Sequence, residues 1–272
     1  MAHGFKNEIK LLENVIRNAE FGKSFLITGH EMIGKKTMVM SLAQSLIGKD
    51  ILEPGDLSII EVGPDKRAIS IGAIRDLKNS ANIASPVGKI KIVIIDNAHR
   101  MTTEAQNAFL KLAEEPNKNL FIILVTHAPN LLLGTIRSRT FLINCNPPDN
   151  NETQEYLVSK DISKAQKEYL QGIFSGRIGI IDRIINNSEE FKKALNLLKD
   201  YLAVSAGERL ILNQQLSTLA LDINTILYIW ILILKSQNIN ANILKSVNSA
   251  YQELQYESAV PKLILDKLAI SI

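Results

Sequence analysis

The sequence holds a single cysteine, Cys145, among 272 residues. One thiol excludes an internal disulfide and a cysteine-rich zinc site, and it suits a reducing compartment. Long hydrophobic runs are also missing. The longest, residues 226–234, falls well short of the ~20 apolar residues that cross a bilayer. The opening MAHGFKNEIK has no apolar core of the kind a signal peptide needs. These absences lead us to expect a soluble, cytoplasmic protein with no membrane partner. Neither charge sign dominates, with 31 Lys and Arg against 28 Asp and Glu. Bulk charge therefore neither demands nor excludes nucleic acid, and local patches must decide. Internal repeats and low-complexity tracts are absent as well. What is present is 46% hydrophobic and 22% charged, a globular composition long enough for more than one domain.

Residues 89–145 organise the chain, reading strand, acidic turn, helix, strand, basic turn. The β-branched run at 92–95 has no polar alternation and ends on Asp96. Such a run suits a parallel strand buried on both faces. Its trailing carboxylate then stands at the carboxyl edge of the sheet, where open α/β sheets bind ligands. The spacing predicts further strands at 24–28, 57–62, 120–125 and 141–144. Helices are predicted at 5–19, 38–47, 70–81, 102–112 and 131–136, with Ser70 as an N-cap. Arg75 and Lys78, three apart on one of them, suit a solvated face or a phosphate contact.

Between the first strand and the helix after it lies Gly29-His30-Glu31-Met32-Ile33-Gly34-Lys35-Lys36-Thr37. Two glycines five apart and then lysine is the spacing of a phosphate-binding loop. The glycines let successive N–H groups face phosphate oxygens, and Lys35 would reach the outer phosphates. The hydroxyl that usually holds magnesium belongs at 36, where Lys36 stands. Thr37 is one residue late, turned by roughly 100° on a helix. Both a nucleotide site and a strand-to-helix turn without a ligand fit this pattern. After Asp96 comes Asn97, where a hydrolytic enzyme wants a second carboxylate, and an amide cannot act as general base. His99 could substitute, or could serve in packing. Thr126 ends the strand at 120–125, where it would face a γ-phosphate or its water.

Asn146-Pro147-Pro148-Asp149-Asn150-Asn151 reads as a linker. Helical periodicity dominates beyond it, at 152–160, 164–174 and 178–187, then at 191–204, 208–221, 225–235, 241–254 and 260–269, with 188–190 as a joint. Trp230, in the most apolar run, suits core packing or an interface anchor. The expected division is a core over 1–147, a helical lid over 148–188 and a helical collar over 189–272.

DNAHRMTTEAQNAFLKLAEEP followed by LVTHAPNLLLGTIRSRT, with the phosphate loop and the order of elements, resembles the clamp-loader branch of the AAA+ family, most of all its delta-prime members. The resemblance implies an α/β AAA+ P-loop core, then an all-α lid and an all-α collar. It assigns Gly29, Gly34, Lys35, Lys36 and Thr37 to the Walker A region and Asp96 to the Walker B acid. Thr126 becomes the first sensor and Arg177 lies near the second. Arg139 matches an arginine that reaches the ATP of an adjacent subunit. ATP or ADP with magnesium is the implied ligand, without zinc, because the family's cysteine cluster is missing between 47 and 57. Implied partners are the gamma/tau motor subunits, the delta subunit, the sliding clamp and, through the complex, primer–template DNA. Asn97 in place of a catalytic glutamate points to a non-hydrolysing stator of the DNA polymerase III holoenzyme. The rival readings are an ATP-hydrolysing motor subunit and a P-loop kinase.

Overall fold

The computed structural model describes residues 4–19, 23–47, 56–62, 68–81, 90–114, 119–219, 221–256 and 258–272, leaving aside the side chains of 78–81. The expected turns near 21–23, 48–56, 63–67 and 85–89, the Pro116 stop and the Lys78 side chain lie wholly or mostly outside them. Two compact units are present. One comprises Met1–Lys160 with Gly176–Ile178, and the other Asp161–Ser175 with Gly179–Ile272.

The first unit runs α1 (Lys6–Arg17), β1 (Ser24–Gly29), α2 (Lys35–Ile47), β2 (Leu57–Ile60), α3 (Ile71–Ala81) and β3 (Lys91–Ile95). A 3-10 turn at Ala98–Arg100 leads to α4 (Thr103–Glu114) and β4 (Leu120–Val125). A second, at Pro129–Leu131, leads to α5 (Gly134–Arg139), β5 (Phe141–Cys145) and α6 (Asn150–Val158). All five strands pair in parallel in the order β2-β3-β4-β1-β5. This is the α/β core, a parallel sheet between helices, that the sequence predicts, followed by an all-α region.

The absence of polar alternation in the strands has its cause in two cores. Ile92 and Ile94 of β3 pack with Phe25, Ile27 and Ile123 against α1 and α2. Val93 and Ile95 face the other way, with Leu26, Ile122 and Leu124 against α3 and α4. Successive side chains of a strand point to opposite faces, so a central strand covered on both must be apolar throughout. Strands β3, β4 and β1 therefore end at one edge, and Asp96, Thr126 and the Gly29 loop follow directly from them.

Some boundaries differ from expectation. Helix α2 begins at Lys35, not at 38, so Lys35, Lys36 and Thr37 belong to its first turn. The expected helix at 131–136 is a 3-10 turn followed by α5, which places Arg137 and Arg139 on the helix. Ser70 accepts the Ala73 N–H at 3.4 Å, as an N-cap does. The linker residue Asp149 caps α6 in a reciprocal pair with Glu152.

The second unit is helical: α7 (Lys164–Phe174), α8 (Ile178–Asn186, its first residue in the first unit), α9 (Ser188–Ala203), α10 (Ala206–Leu216), α11 (Ile223–Ser236), α12 (Ala241–Glu253) and α13 (Pro261–Ser271). Residues 188–190 are the first turn of α9 and not a joint, because Glu189 and Glu190 suit a helix N-terminus. Helix α10 stops at Leu216, short of the expected 221. Trp230 is fully buried, its indole N–H donating to the Ala194 carbonyl at 3.0 Å, so it packs the core. Among the described residues no helix is long and apolar enough to cross a membrane.

Candidate functional site

The loop between β1 and α2 needs its glycines for different reasons. Gly29 has φ 138°, and a Cβ there would sit 2.3 Å from the Cys145 carbonyl oxygen of β5. Close pairing of β1 with β5 thus requires glycine whether or not a phosphate binds. Gly34 has φ 104°, but its nearest neighbour, Phe5 Cε2, is 3.6 Å away, so conformation alone selects glycine.

Lys35 is buried, and its ammonium donates to the carbonyls of Gly29, at 2.9 Å, and His30. Burial lowers its pKa to about 8, against the opposing pull of Cys145, Glu31 and Asp96. It remains mostly charged at neutral pH, held by loop carbonyls. Lys36 points the other way. Its ammonium bonds the Glu61 carboxylate and lies 3.7 Å from Asp96 Oδ2. Thr37 is exposed on the next position of α2.

Asp96 is mostly buried. Burial raises its pKa, and Lys36 is the strongest influence pulling it back. Asn97 has a left-handed backbone, φ 50°, and its amide donates to Asp96 Oδ2 at 3.3 Å. Asparagine tolerates that conformation better than most residues, which gives a local reason for its presence.

Thr126 is buried and locally engaged. It accepts the Ala128 N–H at 3.0 Å and lies 2.9 Å from His99 Nδ1. The His99 ring meets that of His127 edge-on at 4.4 Å. Burial, then His127, lowers the His99 pKa to about 3; burial, then Lys35, lowers that of His127 to about 4. Both are neutral at pH 7, and His99 packs rather than acting as a base. Its Nε2 is buried without a partner among the described residues.

Arg139 closes α5. Its Nε lies 3.2 Å from Glu114 Oε1, both side chains about half exposed, and its Nη1 donates to the Thr135 carbonyl at 3.3 Å. Arg177 is half-buried, following Gly176, whose N–H donates to Thr153 of α6 at 3.0 Å. The fold thus brings Lys35, Lys36 and Asp96 together, ties Thr126 to His99, and leaves Thr37 and Arg139 at the surface. Sequence reasoning missed Glu61, Glu31 and His127. The parallel register Ile60↔Ile95 makes Glu61 and Asp96 neighbours just past two strand ends, and that register was the missing signal.

A polyphosphate suits this loop, with its glycine conformations, the N-terminus of α2 and the Lys35 ammonium. Magnesium does not. It wants oxygen ligands in near-octahedral array. Here the hydroxyl position carries an ammonium, Thr37 is turned out, and Asp96 is already engaged. Among the described residues no group of three His, Cys, Asp or Glu could hold a metal.

Residues 4–149 match the family model described as "DNA polymerase III, delta subunit". The chain belongs to this clamp-loader family. Among curated relatives, DNA polymerase III subunit delta' of Buchnera aphidicola is 29% identical over 117 residues, covering 43% of this chain and 35% of that protein. The subunit delta' of Bacillus subtilis is 26% identical over 202 residues, covering 68% and 60%. The chain thus spans between about a third and three fifths of these delta-prime relatives. A solved DNA polymerase III gamma subunit-related protein of Thermotoga maritima aligns over 97% of this chain and 98% of its own, with TM-score 0.65 and 23% identity. At that identity the likeness shows the fold alone.

Proposed function

We propose that this chain is a delta-prime-like subunit of a replicative clamp loader, a largely non-hydrolysing stator in the cytoplasm. It assembles with gamma/tau-like motor subunits and a delta subunit, lends Arg139 to the ATP of a neighbour, and helps place the sliding clamp on primed DNA, which it meets through the complex. Residues 148–188 act as lid and 189–272 as collar in this reading. Its own loop, with Gly29, Gly34 and Lys35, takes ATP or ADP, with Arg177 reaching toward it from the lid.

The observation that carries the reading is a contrast between the two edges of the sheet, Asp96 just past the carboxyl end of β3 and Arg139 just before the amino end of β5. Asp96 is occupied by Lys36 and Asn97, and Asn97 cannot activate water, whereas Arg139 stands exposed at a helix end. Its ion pair with Glu114 is a surface pair, worth less than about 1 kcal/mol, and is readily exchanged for a phosphate. An arginine supplied in trans stabilises charge on a transferring phosphoryl group by a factor of about 10³–10⁵. A motor reading needs a water-orienting carboxylate beside Asp96, and Asn97 stands there. The test is ATP turnover by the reconstituted assembly carrying Arg139→Ala. Clamp- and DNA-stimulated turnover should fall about tenfold or more, with Arg139→Lys unable to restore it because it lacks the planar fork. Turnover at the wild-type rate would refute the arginine's role.

A further inference from the structure

We infer that the Lys36 ammonium holds the place at which a P-loop core seats its divalent cation, and that it keeps the cation out. The inference rests on reading residues 29–37 as a phosphate cradle. Lys36 stands where the loop spacing calls for the metal-binding hydroxyl, and Thr37 is exposed one position further on. From the first turn of α2 the Lys36 side chain reaches the carboxyl edge of the sheet. There it bonds Glu61 and lies 3.7 Å from Asp96 Oδ2. Those carboxylates follow Ile60 and Ile95, partners in the β2–β3 register. Opposing them with a tethered cation is what the register and helix together produce.

The electrostatics run in the same direction. Asp96 is largely buried, so its carboxylate needs a nearby positive charge. Lys36 supplies one from within the chain. A divalent ion entering the site would meet this ammonium at close range, in a medium where like charges repel strongly. It would also have to draw Asp96 Oδ2 away from both Lys36 and the Asn97 amide, at 3.3 Å. A single positive charge on a flexible stem can still neutralise a phosphate, but it fixes no ligand geometry and needs no dehydration.

The test measures ADP affinity of the full chain by fluorescence of a labelled analogue, with chelator and with millimolar magnesium. Manganese binding is followed in parallel by electron paramagnetic resonance. For the wild-type chain, affinity should agree within about twofold under both conditions. Lys36→Thr restores the hydroxyl and frees Asp96. Its affinity should rise about tenfold or more with magnesium, and it should bind manganese with nucleotide. Lys36→Thr combined with Asp96→Asn should lose both gains. Because Asp96 loses its counter-charge, the Lys36→Thr chain should melt at a lower temperature than wild type while keeping a single cooperative transition, which confirms folding. A wild-type affinity that rises about tenfold with magnesium overturns the inference while leaving the cradle intact. So does a Lys36→Thr chain indifferent to metal. A wild-type chain that binds no ADP in either condition, beside a Lys36→Thr chain that binds it with magnesium, sustains the exclusion and overturns instead the proposal that the wild-type loop holds nucleotide.

Discussion

Lys35→Met should make this protein more stable while removing its hold on phosphate. Methionine keeps the length of the side chain and removes the charge. Lys35 is 6% exposed, and burial takes its pKa from the usual 10.5 to about 8. That difference corresponds to about 3 kcal/mol of preference for the neutral form. At pH 7 the folded chain carries the charge all the same, and stability is lower by that amount. Against the gain stand two lost hydrogen bonds, to the carbonyls of Gly29 and His30. Each contributes about 0.5–1.5 kcal/mol, so the net stabilisation should be about 0–2 kcal/mol. The melting temperature should rise by about 2–4 °C per kcal/mol. The pH dependence separates this cause from generic repacking. A buried amine with a lowered pKa is destabilising below the folded value, and the effect fades as pH rises to the unfolded one. The advantage of Lys35→Met should therefore be full below about pH 8 and shrink toward pH 10.5. Urea unfolding of both proteins at several pH values measures it. A variant less stable than wild type at pH 7, or an advantage independent of pH, would refute the reasoning.

Two further outcomes follow from the same edge of the sheet. Gly29→Ala drives a Cβ to 2.3 Å from the Cys145 carbonyl oxygen and should lower stability by about 3 kcal/mol or more, whereas Gly34→Ala meets only conformational strain and should lower it by about 1–2 kcal/mol, both read from urea midpoints. Wild-type stability should fall as pH drops from 6.5, because the unfolded chain binds protons that His99 and His127 refuse until about pH 3 and 4. The loss by pH 4 should reach several kcal/mol, and His99→Gln should flatten part of that slope.

The sequence made the sheet legible where one physical cause dominated. Ile92, Val93, Ile94 and Ile95 admit no polar residue because both faces of β3 are covered, and the same pattern revealed β1 and β4. Asp96 was legible as a strand-end acid for the same reason. The interactions that decide its chemistry were not. Glu61 joins Lys36 only through strand register, and His99 meets Thr126 across 27 residues of chain. Composition and spacing carry no trace of such pairings. The polar run Ser188-Glu189-Glu190 read as a joint because its residues suit both loops and helix starts, and the packing of Phe191 and Ala194 settles it as helix. Arg139 was legible from its motif, but its place on α5 beside Glu114 came from the fold.

Phosphate release by the purified chain with ATP and magnesium addresses the central claim most directly. With Lys36 at Asp96 and Asn97 beside it, turnover should not rise above the uncatalysed background. Steady turnover that Lys35→Ala or Asp96→Asn abolishes would contradict the account, since the chain would then be a motor in its own right.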